Sequence, residues 1–211
     1  KSNMPSYQPE AYQKPGCPII VDLNGDGLIT VEDVDMKNVI PSLYWGFGNT
    51  FTYKNWDLDV FIYSQLGVDK YNDVYSWTSG RGLGNQTNNM SVYIKDVWHS
   101  ELNPNGTIPG IAYEMASVSL PGGAGTDIGY ENSSFVRVRN ITLGYNFKPN
   151  QLGTLSKLLS GIRVYVDVQN PFTFTGYTGL DPEVNTGGNY KGGKAEYPQT
   201  RTFSLGTKLS F

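Results

Sequence analysis

Arg201-Thr202-Phe203-Ser204-Leu205-Gly206-Thr207-Lys208-Leu209-Ser210-Phe211 decides how this chain is read. Phe203, Leu205, Leu209 and Phe211 share one parity, and Ser204, Gly206, Lys208 and Ser210 share the other. Side chains alternate across a strand, so the segment has one apolar face and one small or polar face. Taken alone it fits two folds. One is a half-buried terminal strand of a soluble sandwich. The other is a strand of an outer-membrane barrel, whose apolar face meets lipid while the opposite face lines the lumen.

Four more stretches carry the same alternation. Leu43 to Lys54 sets Leu43, Trp45, Phe47, Phe51 and Tyr53 against Tyr44, Gly46, Gly48, Thr50 and Thr52. Trp56 to Leu66 sets Trp56, Leu58, Val60 and Ile62 against Asp57, Asp59, Phe61 and Tyr63. The two read as a hairpin turning at Lys54-Asn55. Asp57 and Asp59 need water or ionic partners on their face, which a lumen supplies more readily than a dry core. Phe135 to Phe147 alternates through Ile141, Leu143 and Tyr145, but Val136 and Val138 fall out of phase with Ile141. That shift predicts a bulge near Asn140. Ile162, Val164, Val166 and Val168 alternate with Arg163, Tyr165, Asp167 and Gln169.

The expected fold is all-β: five antiparallel strands with turns near 55 and 148–160 and long loops at 67–133 and 174–197. A short helix is expected around Met90 to Trp98, and another helical piece at Leu155 to Leu159. Connections as long as 67–133 are unusual in soluble domains but normal on the outer side of a barrel. With Phe211 on the periplasmic side, both long loops and the segment 1–41 are extracellular, and 42–211 supplies the strands. Five strands close no barrel, so the rest of its wall lies outside this sequence. The opening Lys1-Ser2-Asn3 carries no initiator Met and reads as the start of a fragment or a processed piece.

Composition agrees. Charged residues are 17% and aromatics 13% of the chain, with 25 Gly and 15 Tyr. Net charge is −3, so no nucleic-acid partner is expected. One Cys and one His exclude an internal disulfide and a His-cluster metal site.

The sharpest local motif is Asp22-Leu23-Asn24-Gly25-Asp26-Gly27-Leu28-Ile29-Thr30-Val31-Glu32-Asp33. Oxygen side chains at positions one, three and five, Gly at six and an acid at twelve match the spacing of an EF-hand calcium loop. The expected Ca²⁺ ligands are Asp22, Asn24, Asp26, the Leu28 carbonyl and Asp33, with Thr30 acting through water. Asp replaces the usual Glu at position twelve, as in dockerin-type loops. The plainer alternative is an Asp/Asn/Gly turn that binds nothing.

Nothing else in the chain reads as catalytic. Asp181-Pro182-Glu183 puts two acids close together, but in a Gly-rich loop this is more often turn chemistry than an acid–base pair. Ser133 and Ser134 sit in no nucleophile-elbow motif. Trp45 and Trp56 fit an interfacial aromatic girdle. Trp77 and Trp98, in the long loop, are candidate ligand contacts.

In their order these pieces resemble the C-terminal end of SusC/RagA-like TonB-dependent outer-membrane transporters. The resemblance runs through Asp22 to Ile29, Pro41 to Tyr53, Ser134 to Tyr145, Val168 to Thr175, Gly179-Leu180-Asp181-Pro182-Glu183 and the Phe-ended last strand. It implies the last five strands of a 22-stranded transmembrane barrel in a bacterial outer membrane. It also implies a SusD-like lipoprotein partner, drive through TonB, and import of oligosaccharides or peptides. The family's calcium loop falls on Asp22, Asn24, Asp26 and Asp33. The rival expectation is a secreted, soluble carbohydrate-binding sandwich with a dockerin-like loop; a calcium-stabilised hydrolase using Asp181 and Glu183 is a second.

Overall fold

The computed structural model describes residues 4–72, 75, 91–110, 127–184 and 197–211. Contacts divide the chain into two units. The first comprises Lys1–Lys37, Tyr71–Glu131 and Thr186–Ala195. Its described parts hold short 3-10 turns at Glu10–Tyr12, Val31–Asp33 and Val92–Asp96, and single bridges Val97–Ile108 and His99–Asn103. The expected helix around Met90 to Trp98 is thus a 3-10 turn, opened by the Ser91 side chain accepting from the Tyr93 N–H. Tyr12 and Val97 are its buried apolar residues, and Gln8 is pinned by the N–H of Ile20 to its Oε1 at 3.0 Å.

The second unit, Asn38–Lys70, Asn132–Asn185 and Glu196–Phe211, is the sheet. Its strands are β1 (Leu43–Tyr53) and β2 (Trp56–Leu66), followed after two three-residue strands by β5 (Phe135–Phe147), β6 (Gly161–Thr175) and β7 (Thr202–Ser210). The two short strands, β3 (Asp69–Tyr71) and β4 (Tyr130–Asn132), pair with each other as a separate ribbon. The five long strands run antiparallel in the order β1-β2-β5-β6-β7. Each is long enough for the 9–11 residues a tilted membrane crossing needs. Lys54 turns the first hairpin with a positive φ of 59°. Between β5 and β6 the expected helical piece appears as two 3-10 turns, Pro149–Gln151 and Gly153–Lys157.

Register assembles the alternating residues into rungs that cross the sheet. Phe51, Leu58, Leu143, Val166 and Leu205 are successive partners, as are Val60, Ile141, Val168 and Phe203, and Phe47, Ile62, Val138 and Phe172. The opposite face carries Thr52, Asp57, Gly144, Tyr165 and Gly206, then Thr50, Asp59, Thr142, Asp167 and Ser204. The expected phase change in β5 is a bulge at Arg139: register slips there against both β2 and β6. One extra residue returns Val136 and Val138 to the face of Ile141.

One boundary differs from expectation. The loop expected to begin at 174 begins at 176, because β6 runs on through Pro171 to Thr175. Asn170, at φ 48°, and Pro171 stand together opposite Arg139, so the residue without an N–H falls at the irregularity.

The apolar face is not covered. Phe51, Leu143, Val166, Phe172, Phe203 and Leu205 are all exposed, and Leu205 reaches 77%. A soluble sandwich would bury this face. Among the described residues no helix is long and apolar enough to cross a membrane, which says nothing of strands. Aromatic residues mark both ends of the face. Trp56 meets Tyr145 edge-on with ring centroids 4.8 Å apart, and Tyr145 meets Phe147 at 4.7 Å. At the other end stand Trp45, Phe47, Phe172 and Phe174. Tyr53 and Trp45 lie roughly 26 Å apart along β1 at about 3.3 Å per residue. At a tilt of about 35–45° that covers about 20 Å of the ~25 Å apolar band of outer-membrane barrels.

Candidate functional site

Three places hold the chemistry: the acidic loop at 22–33, and two charged clusters on the polar face of the sheet.

In the acidic loop, Gly25 and Gly27 take positive φ values of 78° and 81° and let the chain fold back on itself. The Asp22 carboxylate accepts the N–H groups of Gly25 (2.7 Å) and Gly27 (2.8 Å). Asn24 Oδ1 accepts the Asp26 N–H, and Asp26 Oδ1 accepts the Leu28 N–H. Asp33 closes the ring, accepting from Leu23 (2.8 Å) and Thr30 (2.7 Å). The Thr30 N–H, with those of Leu23 and Asn24, holds the Asp33 carboxyl below the ordinary carboxylate range against a smaller opposing effect of burial. Thr30 caps the following 3-10 turn, its hydroxyl accepting the Glu32 N–H.

All five expected ligand positions therefore lie in one short loop, as hard oxygens of the type Ca²⁺ takes. Each carboxylate oxygen has two lone pairs, so a backbone bond does not exhaust it. The carboxylates are nevertheless turned onto backbone amides. Among the described residues no three His, Cys, Asp or Glu side chains converge as a metal cluster. Of the two Trp candidates, Trp77 lies outside the described residues. Trp98 is half-buried, its six-membered ring packed on Gly16 and Gly110 so tightly that a Cβ at Gly16 would come within 2.7 Å of it.

At the end of the polar face next to Trp56 and Tyr145, Asp57 and Arg163 form an ion pair that reaches over a strand. Asp57 is on β2 and Arg163 on β6, with β5 between them. Arg163 Nε donates to Asp57 Oδ1 at 3.2 Å and Nη2 to Oδ2. Asn146 donates to the same carboxylate. The pair passes over Gly144, where a Cβ would stand 2.6 Å from both Arg163 Nε and Asp57 Oδ2. Asp59 accepts from Thr50, and Asp167 from Asn140 and Thr142. The acids expected to need partners thus have them.

At the other end of this face lies a cluster that the sequence reading did not assemble. Arg137 on β5 is 2% exposed. Its Nη2 donates to Asp181 (2.9 Å), Nη1 to Glu183 (2.7 Å) and Nε to Thr173 Oγ1 (2.9 Å). Arg139 donates to the other oxygen of Glu183. The guanidiniums lie over aromatic rings, Arg137 on Phe135 at 5.3 Å and Arg139 on Tyr63 at 5.4 Å. Burial pushes the Asp181 carboxyl up, but the N–H groups of Glu183 and Gln199 and the Arg137 guanidinium together bring it below its ordinary value. Both acids of the hydrolase expectation are thus taken up as partners of arginines. The missed signal was complementarity: two arginines around one strand position and two acids around one proline.

A wall of antiparallel strands, apolar and uncovered on one face and charged on the other, defines a class: part of a transmembrane β-barrel. Known proteins narrow it. The chain is 34% identical over 211 residues, 97% of its length, to the TonB-dependent receptor SusC of Bacteroides thetaiotaomicron. It is 31% identical over 206 residues, 93% of its length, to the TonB-dependent receptor P3 of Formosa agariphila. Among solved structures it is similar to the RagAB peptide importer in the closed-closed state, with TM-score 0.66 and 26% identity over 83% of this chain. The open-open state gives TM-score 0.62 at 25% identity over the same share. The matched stretch is 19% of each receptor and 18% of each RagAB chain, so this chain spans less than a fifth of the proteins it matches. No family model matches it. The chain belongs with the SusC/RagA-like TonB-dependent receptors, as a segment of their barrel wall.

Proposed function

We propose that this chain is the C-terminal wall of a 22-stranded outer-membrane importer that takes up oligosaccharides or peptides, is driven through TonB and works with a SusD-like surface lipoprotein. The observation that carries the reading is the register: it gathers the apolar residues of five strands onto one exposed face and the ionic groups onto the other. The likeness to SusC and to the RagAB peptide importer supports it. No enzymatic role is assigned. Residues 1–41, 67–133 and the β6–β7 connection lie on the extracellular side, and the turns at 54–55 and 148–160 on the periplasmic side. The test uses the full-length protein. Extraction from membranes should require detergent, and a cysteine placed at Asn55 should react with an impermeant maleimide only after the outer membrane is opened. A native protein that stays monomeric in buffer without amphiphile would return the chain to the soluble-sandwich reading.

The acidic loop is proposed to hold a structural Ca²⁺ through Asp22, Asn24, Asp26, Asp33 and the Leu28 carbonyl. The ion would supply the counter-charge that the loop's own residues do not. Its support is the ligand spacing together with the two positive-φ glycines. Calorimetric titration of the full-length protein should show a calcium site that Asp22→Ala and Asp26→Ala each abolish. Heat signals identical in wild type and both variants would assign the loop to plain turn chemistry.

A further inference from the structure

We propose that Asp181–Val184 is a permanent strap, fixed to the inner wall as the counter-charge of two arginines, so that this part of the β6–β7 connection does not swing as a lid. Three cations from two places in the chain hold it. Arg137 and Arg139 on β5 take its two carboxylates, and Lys70 on β3 takes its backbone, donating to the carbonyls of Pro182 (2.7 Å) and Val184 (2.5 Å). Side chains and main chain are thus held by different residues, so neither set can let go alone and free the segment.

Asp181 also ties the strap to the far end of the same connection. Its Oδ2 accepts the Gln199 N–H at 2.9 Å, while its Oδ1 accepts the Glu183 N–H at 2.8 Å. The near end is fixed too: Thr175 Oγ1 donates to the Ser134 carbonyl and accepts the Tyr177 N–H. Pro182, with φ fixed by its ring, limits the freedom the segment would regain on release. Burial decides the balance. Exposed ion pairs are worth little and come and go. Here the Arg137 and Asp181 side chains are 2% and 5% exposed. Lifting the strap would take both carboxylates from Arg137 and the two carbonyls from Lys70 at once, so several charge-assisted bonds must break together for the entropy of one short segment. Any movement that opens the path through the barrel is then carried by other segments. The strap stands whether the cargo is a glycan or a peptide.

Hydrogen–deuterium exchange of the full-length transporter in detergent tests this. In the wild type, peptides covering 176–184 and 197–201 should exchange slowly. In Asp181→Asn/Glu183→Gln they should exchange about tenfold faster, with β5 and β6 peptides unchanged, as for a local opening. Lys70→Met leaves all four charged partners in place and carries the test if the double variant fails to fold. It should speed the same two peptides by about threefold or more. Strap peptides that exchange in the wild type at the rate of an unstructured chain overturn the proposal. So does unchanged exchange in the variants, or acceleration spread equally over β5 and β6.

Discussion

The two faces of the sheet are built from the same five strands and follow different rules. On the outer face the rungs are interchangeable: Leu, Val, Ile and Phe stand in register with no specific partner. On the inner face Asp57, Asp59, Arg137, Arg163 and Asp167 each have a named partner, some of them two strands away or in a loop, as with Asp57 and Arg163 or Arg137 and Asp181. The difference reflects the solvent each face meets. Lipid asks only that a surface be apolar and carry no unsatisfied polar group. A lumenal wall must satisfy every charge it buries. The outer face is therefore tolerant of shape and intolerant of charge, and the inner face is the reverse.

The largest effect should come from the inner face. Arg137→Ala strands two carboxylates and should cost about 3–5 kcal/mol in denaturant unfolding of the detergent-solubilised protein. Arg163→Ala, at a more open pair, should cost clearly less; equal costs would mean that burial does not set the ranking. Next comes charge on the outer face. Leu143→Arg should cost about 2–4 kcal/mol in vesicle refolding, against under about 1 kcal/mol for Ser204→Arg on the lumenal side. Matching penalties at the two positions would break the face assignment. A shape change follows. Gly144→Ala adds one methyl where Asp57 and Arg163 meet and should cost about 1–3 kcal/mol, while Val168→Ile on the outer face should fall within about 0.5 kcal/mol.

The smallest effect is that of pH. The folded-state pKa of Asp181 lies below its unfolded value. Its contribution is therefore complete above the unfolded value of about 3.9, and is lost as pH falls through the folded value. Protection of the strap, its exchange relative to an unstructured chain at the same pH, should stay flat from pH 8 to about pH 5 and fall only in stronger acid. In Asp181→Asn that acid loss of protection should be weakened; a loss near neutrality would point to a different titrating group.

How much of this was legible in the sequence follows from the same contrast. Strand boundaries at Leu43, Trp56, Leu66, Phe135 and Phe147 were open to reading because period-two alternation is local. Even the bulge near Asn140 announced itself as a slipped parity. The acidic loop was legible as a motif because its whole hydrogen-bond ring spans 22–33. The strap was not, since Arg137 and Asp181 are far apart in the chain and only the folded sheet brings them within 2.9 Å. The reach of β6 to Thr175 was hidden for a related reason: Asn170 and Pro171 sit within the strand because β5 supplies the irregularity opposite them. The partner of Asp57 was hidden too, because Gly144 reads as a weak spot in a strand until an ion pair is seen to pass over it.

The bulge at Arg139 leaves a consequence for the gene. Loss of that single codon would restore uninterrupted alternation to β5, and a pattern-based view would score the shortened strand as improved. In space the faces would be kept: Val136 and Val138 would stay with Ile141 and Arg137 on the polar side, but the irregularity opposite Asn170 and Pro171 would be lost. In a deletion scan, loss of Arg139 should therefore survive more often than loss of any other single residue of β5, because every other deletion turns one part of the strand to the wrong face.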